Sequence, residues 1–220
     1  MSTNNLTDKA KRLIVVGNGA IINDYSDLID SADIVIRFNN LNNYGQATGK
    51  RMTHWVLSSN KFLLEKQINS PGGNLENGEL SVQEMIKICK QLLFSIPPIR
   101  PMTNNNKAAY QRVVRDDTEE RIQAVNRFLE HFDALEHDHR LLTFPAKYIV
   151  SLADHLWPPN WTCPSNGYLV ARLFLDDLTY YYYEKYMVGF TWEGWDGHPW
   201  MLEKMYVEKL ARDGFIKLLK

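Results

Sequence analysis

The chain has 220 residues, 45% of them hydrophobic and 23% charged, which suits one elaborated α/β domain or two small ones and excludes disordered and fibrous classes. Twenty-five Lys and Arg against 26 Asp and Glu leave a formal net charge of -1, so non-specific grip on nucleic acid is not its main task, although a local basic pocket is compatible with that balance. Cys89 and Cys163, its two cysteines, lie far apart and form no CxxC, which excludes a zinc knuckle and a disulfide scaffold and points to a reducing compartment. Residues 1–11 read as a flexible N-terminus, and no apolar run approaches the ~20 residues of a membrane span, so a soluble, cytoplasmic protein is expected.

In chain order, Leu13-Ile14-Val15-Val16 is an apolar run closed by Gly17-Asn18-Gly19, the pattern of a buried parallel strand running through a tight turn into a helix. Ile34-Val35-Ile36 and Trp55-Val56-Leu57 repeat the apolar run, and three such strands with spacers indicate an α/β sheet. Turn-rich stretches at Ser70–Gly78 and Pro97–Lys107 read as surface loops, with a helix over Val82–Lys90 and a strand over Leu92–Ile96 between them. A helix is expected from an N-cap at Thr118, with Ile122, Val125, Phe128, Leu129, Phe132 and Leu135 on its apolar face. Then follow a strand over Leu141–Phe144, a helix over Ala146–His155 and a helix opened by Pro164-Ser165-Asn166-Gly167, with Leu169, Val170, Leu173 and Phe174 on one stripe. A strand over 186–190, a helix over His198–Asp213 stopped by Gly214 and a strand over Phe215–Leu218 complete the chain. One domain over 1–220 is the expectation.

Three places carry candidate chemistry. Gly17-Asn18-Gly19 sits where α/β proteins place a phosphate, but position 22 is Ile22 and the second strand ends in Arg37-Phe38-Asn39, which argues against a dinucleotide. A mononucleotide held by backbone amides and the Asn18 amide fits, and so does a plain turn that needs small residues. Ser165 and Asn166 read either as a helix cap or as nucleotide contacts at a positive helix end. His198, set at an N-cap by Pro199, reads either as a cap or as a general base whose neutral form the helix dipole favours. His137-Asp138-His139 reads as solvated surface, and Tyr180 to Tyr183 with Trp192, Trp195 and Trp200 as packing, although Trp192 and Trp195 also suit a sugar platform.

These pieces stand in a familiar order. Val15-Val16-Gly17-Asn18-Gly19, Ile29-Asp30-Ser31-Ala32-Asp33-Ile34-Val35-Ile36-Arg37-Phe38-Asn39, and Tyr44-Gly45 to Gly49-Lys50-Arg51-Met52-Thr53-His54 together resemble the large sialyl motif of the animal-type sialyltransferase family. Pro164-Ser165-Asn166-Gly167-Tyr168 resembles its small motif, Val188-Gly189-Phe190 the strand that follows, and His198 with Glu203 five residues later its very small motif. The ending Asp213-Gly214-Phe215-Ile216-Lys217-Leu218 is similar too, so the likeness spans roughly residues 1–60 and 164–220.

The resemblance implies a single Rossmann-like domain, a sialyltransferase-like GT-A variant whose mainly parallel sheet is flanked by helices. It also implies inverting, metal-independent and cofactor-free transfer of sialic acid or a related ulosonic acid from its CMP form to a glycan hydroxyl, in protein glycosylation or glycan biosynthesis. Gly17, Asn18, Gly19, Asn39, Ser165, Asn166, Gly167 and Gly189 would bind the donor, His198 would be the base, and Trp192, Glu193 and Asp196 are candidates for the leaving group or the sugar. The implied partners are CMP-sialic acid or CMP-Kdo and a glycan or glycolipid acceptor, the latter drawing the protein to a membrane surface; nucleic acid is not among them.

Two departures shape the alternatives. The disulfide of animal members would fall at Leu13 and Leu178, where an apolar contact is expected instead. The stretch Thr191 to Gly197 carries no imidazole to steady the leaving phosphate, so a catalytically impaired CMP-binding module stands beside the enzyme, as does a CMP-Kdo-dependent transferase.

Overall fold

Runs of Leu, Ile and Val have become strands buried on both faces, the condition of a parallel sheet covered by helices. The computed structural model describes residues 10–69, 80–96, 107–144, 148 and 164–220. The strands are β1 (Arg12–Val16), β2 (Ile34–Phe38), β3 (His54–Ser58), β4 (Gln91–Ile96), β5 (His139–Thr143), β6 (Glu184–Val188) and β7 (Lys217–Leu218). The helices are α1 (Ser26–Asp30), α2 (Lys61–Ile68), α3 (Val82–Ile88), α4 (Lys107–His131), α5 (Asn166–Asp176) and α6 (Trp200–Arg212).

The strands form one seven-stranded sheet in the order β5-β4-β3-β2-β1-β6-β7, and every pairing is parallel. This is a Rossmann-like α/β arrangement. Strand order advances from β1 to β5 on one side and restarts with β6 on the other, so the topological switch point lies between β1 and β6. Alternation sends Leu13, Val15, Ile36, Phe38, Val56 and Leu93 to a face covered by α5 and by Val207 of α6. The opposite face is divided. Trp55, Leu57, Leu92 and Phe94 pack with α2, α3 and α4, whereas Ile14, Val16 and Val35 pack on Ile29 of α1.

Arg37 stands on that second face, buried. It donates to the carbonyls of Gly49 and Arg51 and to both oxygens of Thr48, and its burial pulls the guanidinium down to about 10. An acid at the same level fixes the returning chain: the Asp30 carboxylate accepts the amides of Lys50 (2.8 Å) and Arg51 (2.7 Å). Much of the segment resembling the large motif thus serves to fold the connection from β2 to β3 against the sheet.

Several sequence expectations are corrected. α4 starts at Lys107, not Thr118, because no glycine or proline interrupts 107–117; Thr118 followed by two glutamates copies a cap signal inside a continuous helix. Its apolar face is centred on Ala124, Val125, Phe128 and Leu129, leaving Ile122 and Leu135 at the surface. α2, which has no counterpart among the expected elements, is opened by Asn60, whose side chain accepts the Phe62 amide. No helix follows Gly17-Asn18-Gly19 directly, and α1 begins only at Ser26. Leu178 is 83% exposed while Leu13 is buried in β1, so the expected apolar contact between them does not exist. Tyr181 and Tyr182 are exposed as well, not packed. The expected loops at Ser70–Gly78 and over 97–106, Cys163, and the helix over Ala146–His155 except Tyr148 lie outside the described residues. Among the described residues no helix is long and apolar enough to cross a membrane.

Candidate functional site

Val16 and Val188 are register partners, so the chain leaves β1 and β6 side by side. The ladder continues one step further: the Gly17 amide donates to the Val188 carbonyl and the Gly19 amide to the Gly189 carbonyl, both at 2.8 Å. A Cβ on Gly17 would fall on the Gly189 carbonyl, one on Gly19 would lie 2.6 Å from Thr191 Cγ2, and Gly189 itself has φ +70°. Close approach of two backbones therefore accounts for glycine at 17, 19 and 189 before any ligand is considered.

Above this junction opens a cleft of about 940 Å³, within the range of small-molecule sites and at the place where open parallel sheets bind their ligands. Gly17, Asn18, Gly19, Asn39, Ser165, Asn166, Gly167, Gly189, Trp192, Glu193 and His198, all singled out from sequence, line it together. Asp196 does not; it is exposed in the turn before His198.

The two asparagines differ in what they leave open. Asn18 is a strap, its Nδ2 donating to the Phe38 carbonyl (3.0 Å) and its Oδ1 accepting the Asn42 amide (3.1 Å). Asn39, at φ +42°, accepts the Ser58 amide on Oδ1 (2.9 Å), and its Nδ2 has no hydrogen-bond partner among the described residues. Asn39 thus offers the cleft a donor held by a fixed carbonyl.

At the opposite wall Ser165 caps α5, its Oγ accepting the Tyr168 amide at 3.1 Å. The amides of Asn166 and Gly167 follow as orphan donors of the first turn, at the positive end of the helix dipole. Gly167 has no room for a side chain: a Cβ would lie 2.9 Å from the Phe190 ring, which stacks on Trp192 at 5.5 Å. Glu203, fully buried in α6, accepts the Ser165 amide (2.6 Å) and hydroxyl (2.7 Å), and burial raises its carboxyl to about 7 even though both bonds oppose the shift. The Ser165 hydroxyl is consumed by this pair and by the cap.

His198 is not at the cap. Pro199 is the N-cap of α6, with ψ 55° and a carbonyl that takes the Leu202 (2.9 Å) and Glu203 (3.1 Å) amides, so His198 precedes the helix and the dipole argument made for it from sequence loses its basis. Two tryptophans hold its ring instead. The imidazole stands perpendicular to Trp195 (4.9 Å) and to Trp200 (5.0 Å), and Trp200 Nε1 donates to the Trp195 carbonyl at 3.1 Å.

The far wall went unread in the sequence. Ser58, Asn60, Phe62, Leu63 and Arg121 line the cleft beyond β3. Ser58 ends a parallel strand and Asn60 follows it at the carboxyl end, a usable signal; Arg121 sits inside a helix among other charges and carries none. Among the described residues no three His, Cys, Asp or Glu are grouped to hold a metal ion.

The family model described as glycosyltransferase family 29 (sialyltransferase) matches residues 2–215. A comparison with curated proteins gives no match. Among solved structures, the crystal structure of a mammalian sialyltransferase in complex with Gal-beta-1-3GalNAc-ortho-nitrophenol is 18% identical, with a TM-score of 0.48 over 96% of this chain and 70% of that chain. Structural likeness at that level carries no functional argument, and the assignment rests on the match along the sequence. The chain belongs to glycosyltransferase family 29, the sialyltransferases.

Proposed function

We propose that this sialyltransferase-type glycosyltransferase moves sialic acid, or a related ulosonic acid such as Kdo, from its CMP form to a glycan hydroxyl, with inversion and without a metal ion. One observation supports this most: the orphan amides of Asn166 and Gly167, the Asn39 Nδ2 donor and the His198 imidazole face one cleft at the switch point of the sheet. Backbone amides at a helix N-terminus suit a single phosphate, which is what a CMP-sugar carries.

In this reading the His198 imidazole removes the acceptor hydroxyl proton while the oxygen attacks the anomeric carbon. The bond from that carbon to the phosphate oxygen breaks, and its electron pair leaves with CMP. Asn39 Nδ2 and the α5 amides stabilise the charge that grows on the departing phosphate, the task for which preorganised donors are most effective. Trp195 and Trp200 keep the imidazole aimed, and Glu203 keeps the α5 amides in place by holding Ser165.

Calorimetry with CMP followed by donor turnover in the presence of EDTA tests the proposal. CMP binding and EDTA-insensitive release of CMP from the donor are expected. No affinity for CMP would overturn the donor assignment, and binding without turnover would leave a nucleotide-binding module.

A further inference from the structure

We infer that Arg121 is the carboxylate-binding residue of the cleft, and that with Phe62 and Leu63 it recognises a ulosonic acid unit. The inference rests on the proposed CMP-ulosonate reading and adds a substrate-selecting residue to it. Neither the motifs nor the nucleotide-facing wall includes these positions.

Arg121 lines the cleft from α4, and among the described lining residues it is the one side chain that carries a permanent positive charge. Its Nη1 donates to Ser59 Oγ at 3.3 Å, and the fully buried Ser59 hydroxyl in turn donates a hydrogen bond to the Ser95 carbonyl at 2.6 Å. The guanidinium is thereby moored to the carboxyl ends of β3 and β4, and its planar fork of N–H donors has the geometry that suits a carboxylate. Two ion pairs between α2 and α4, Lys61 with Glu120 (2.8 Å) and Arg127 with Glu65 (3.4 Å), fix Phe62 and Leu63 beside it.

Phe62 is 77% exposed and Leu63 48% exposed, both at the cleft wall. An apolar face next to a fixed cation matches the chemistry of a ulosonic acid, whose carboxylate is bonded to the same carbon as an unsubstituted methylene. A neutral hexose has no anion for Arg121, and CMP alone has no carboxylate. β3 is two strands from β1, about 10 Å along the sheet, which separates this subsite from the turn at Gly17.

The carboxylate belongs either to the donor sugar or to a ulosonic acid at the end of the acceptor, and binding measurements on Arg121→Gln distinguish them. Calorimetry compares CMP with an inert CMP-sialic acid analogue, and initial rates compare a neutral galactosyl acceptor with one ending in sialic acid. Loss of about tenfold or more for the analogue with CMP affinity retained identifies the donor carboxylate. A rise of that size in KM confined to the sialylated acceptor identifies the acceptor carboxylate. Arg121→Lys should recover part of either loss, because charge returns without the fork. Equal effects on carboxylate-bearing and carboxylate-free ligands, or no effect in a variant with parental melting temperature, would overturn the inference. If the parent itself fails to bind CMP, the nucleotide reading fails instead, and the two failures are separate.

Discussion

Glu203 of α6 holds Ser165 at the mouth of α5 through two hydrogen bonds, 2.6 Å from the amide and 2.7 Å from the hydroxyl. The pair joins the helix that follows His198 to the helix whose first amides face the cleft, so the two functional walls are braced by a single buried carboxylate.

That carboxylate makes stability depend on pH. Its folded value lies at about 7 against an ordinary 4.5, so between those limits the folded chain retains a proton that the unfolded chain has lost. Stability therefore falls as pH rises from about 4.5 through 7, by a few kcal/mol at most. Glu203→Gln should flatten the dependence, and Glu203→Ala, which leaves the Ser165 amide unpaired, should cost about 2–4 kcal/mol at every pH. Denaturant unfolding at pH 5 and 8 is the check; parallel pH profiles for parent and Gln variant would refute the buried-acid account.

Two glycines with similar φ should respond differently to alanine. Gly214, at φ +79° with open space around it, ends α6 in a Schellman arrangement, the Phe215 amide reaching the Leu210 carbonyl at 2.9 Å. Gly214→Ala should cost about 1 kcal/mol. Gly189 has φ +70° and a Cβ there would lie 2.9 Å from the Gly17 carbonyl, so Gly189→Ala adds a backbone collision and should cost roughly 3 kcal/mol or more. Similar melting temperatures for the two variants would contradict the close approach of β1 and β6.

The asparagines separate binding from folding. Asn18→Ala removes a strap between the β1 and β2 connections and should lower stability by about 1–2 kcal/mol along with CMP affinity. Asn39→Ser would lose the Nδ2 donor, and the expected result is CMP affinity weaker by about 1–3 kcal/mol. Calorimetry showing unchanged affinity for the Asn39 variant would place the phosphate elsewhere.

The sheet was legible because burial on both faces leaves near-continuous apolar runs at Leu13–Val16, Ile34–Phe38 and Leu92–Ile96. The wall at the switch point was legible because it is built from short ordered motifs. Other features depend on partners distant in sequence. Glu203 is marked in the sequence by the motif it shares with His198, but its burial and its bonds to Ser165, 38 residues earlier, follow only from packing. Pro199 marked the start of α6, but its ψ of 55° makes it the cap rather than the first helical residue. Leu178 was placed by counting from motifs, which conveys order along the chain but not burial. Arg121 and Phe62 join the cleft only through the packing of α2 on α4, for which local periodicity carries no signal.

The most direct test of the whole account is the donor turnover of His198→Ala, measured together with its CMP affinity. A fall of roughly a hundredfold or more, the span of a lost general base, is expected in a protein that still binds CMP. Turnover close to the parent's in a folded, CMP-binding variant would contradict it, because no other imidazole lines the cleft among the described residues.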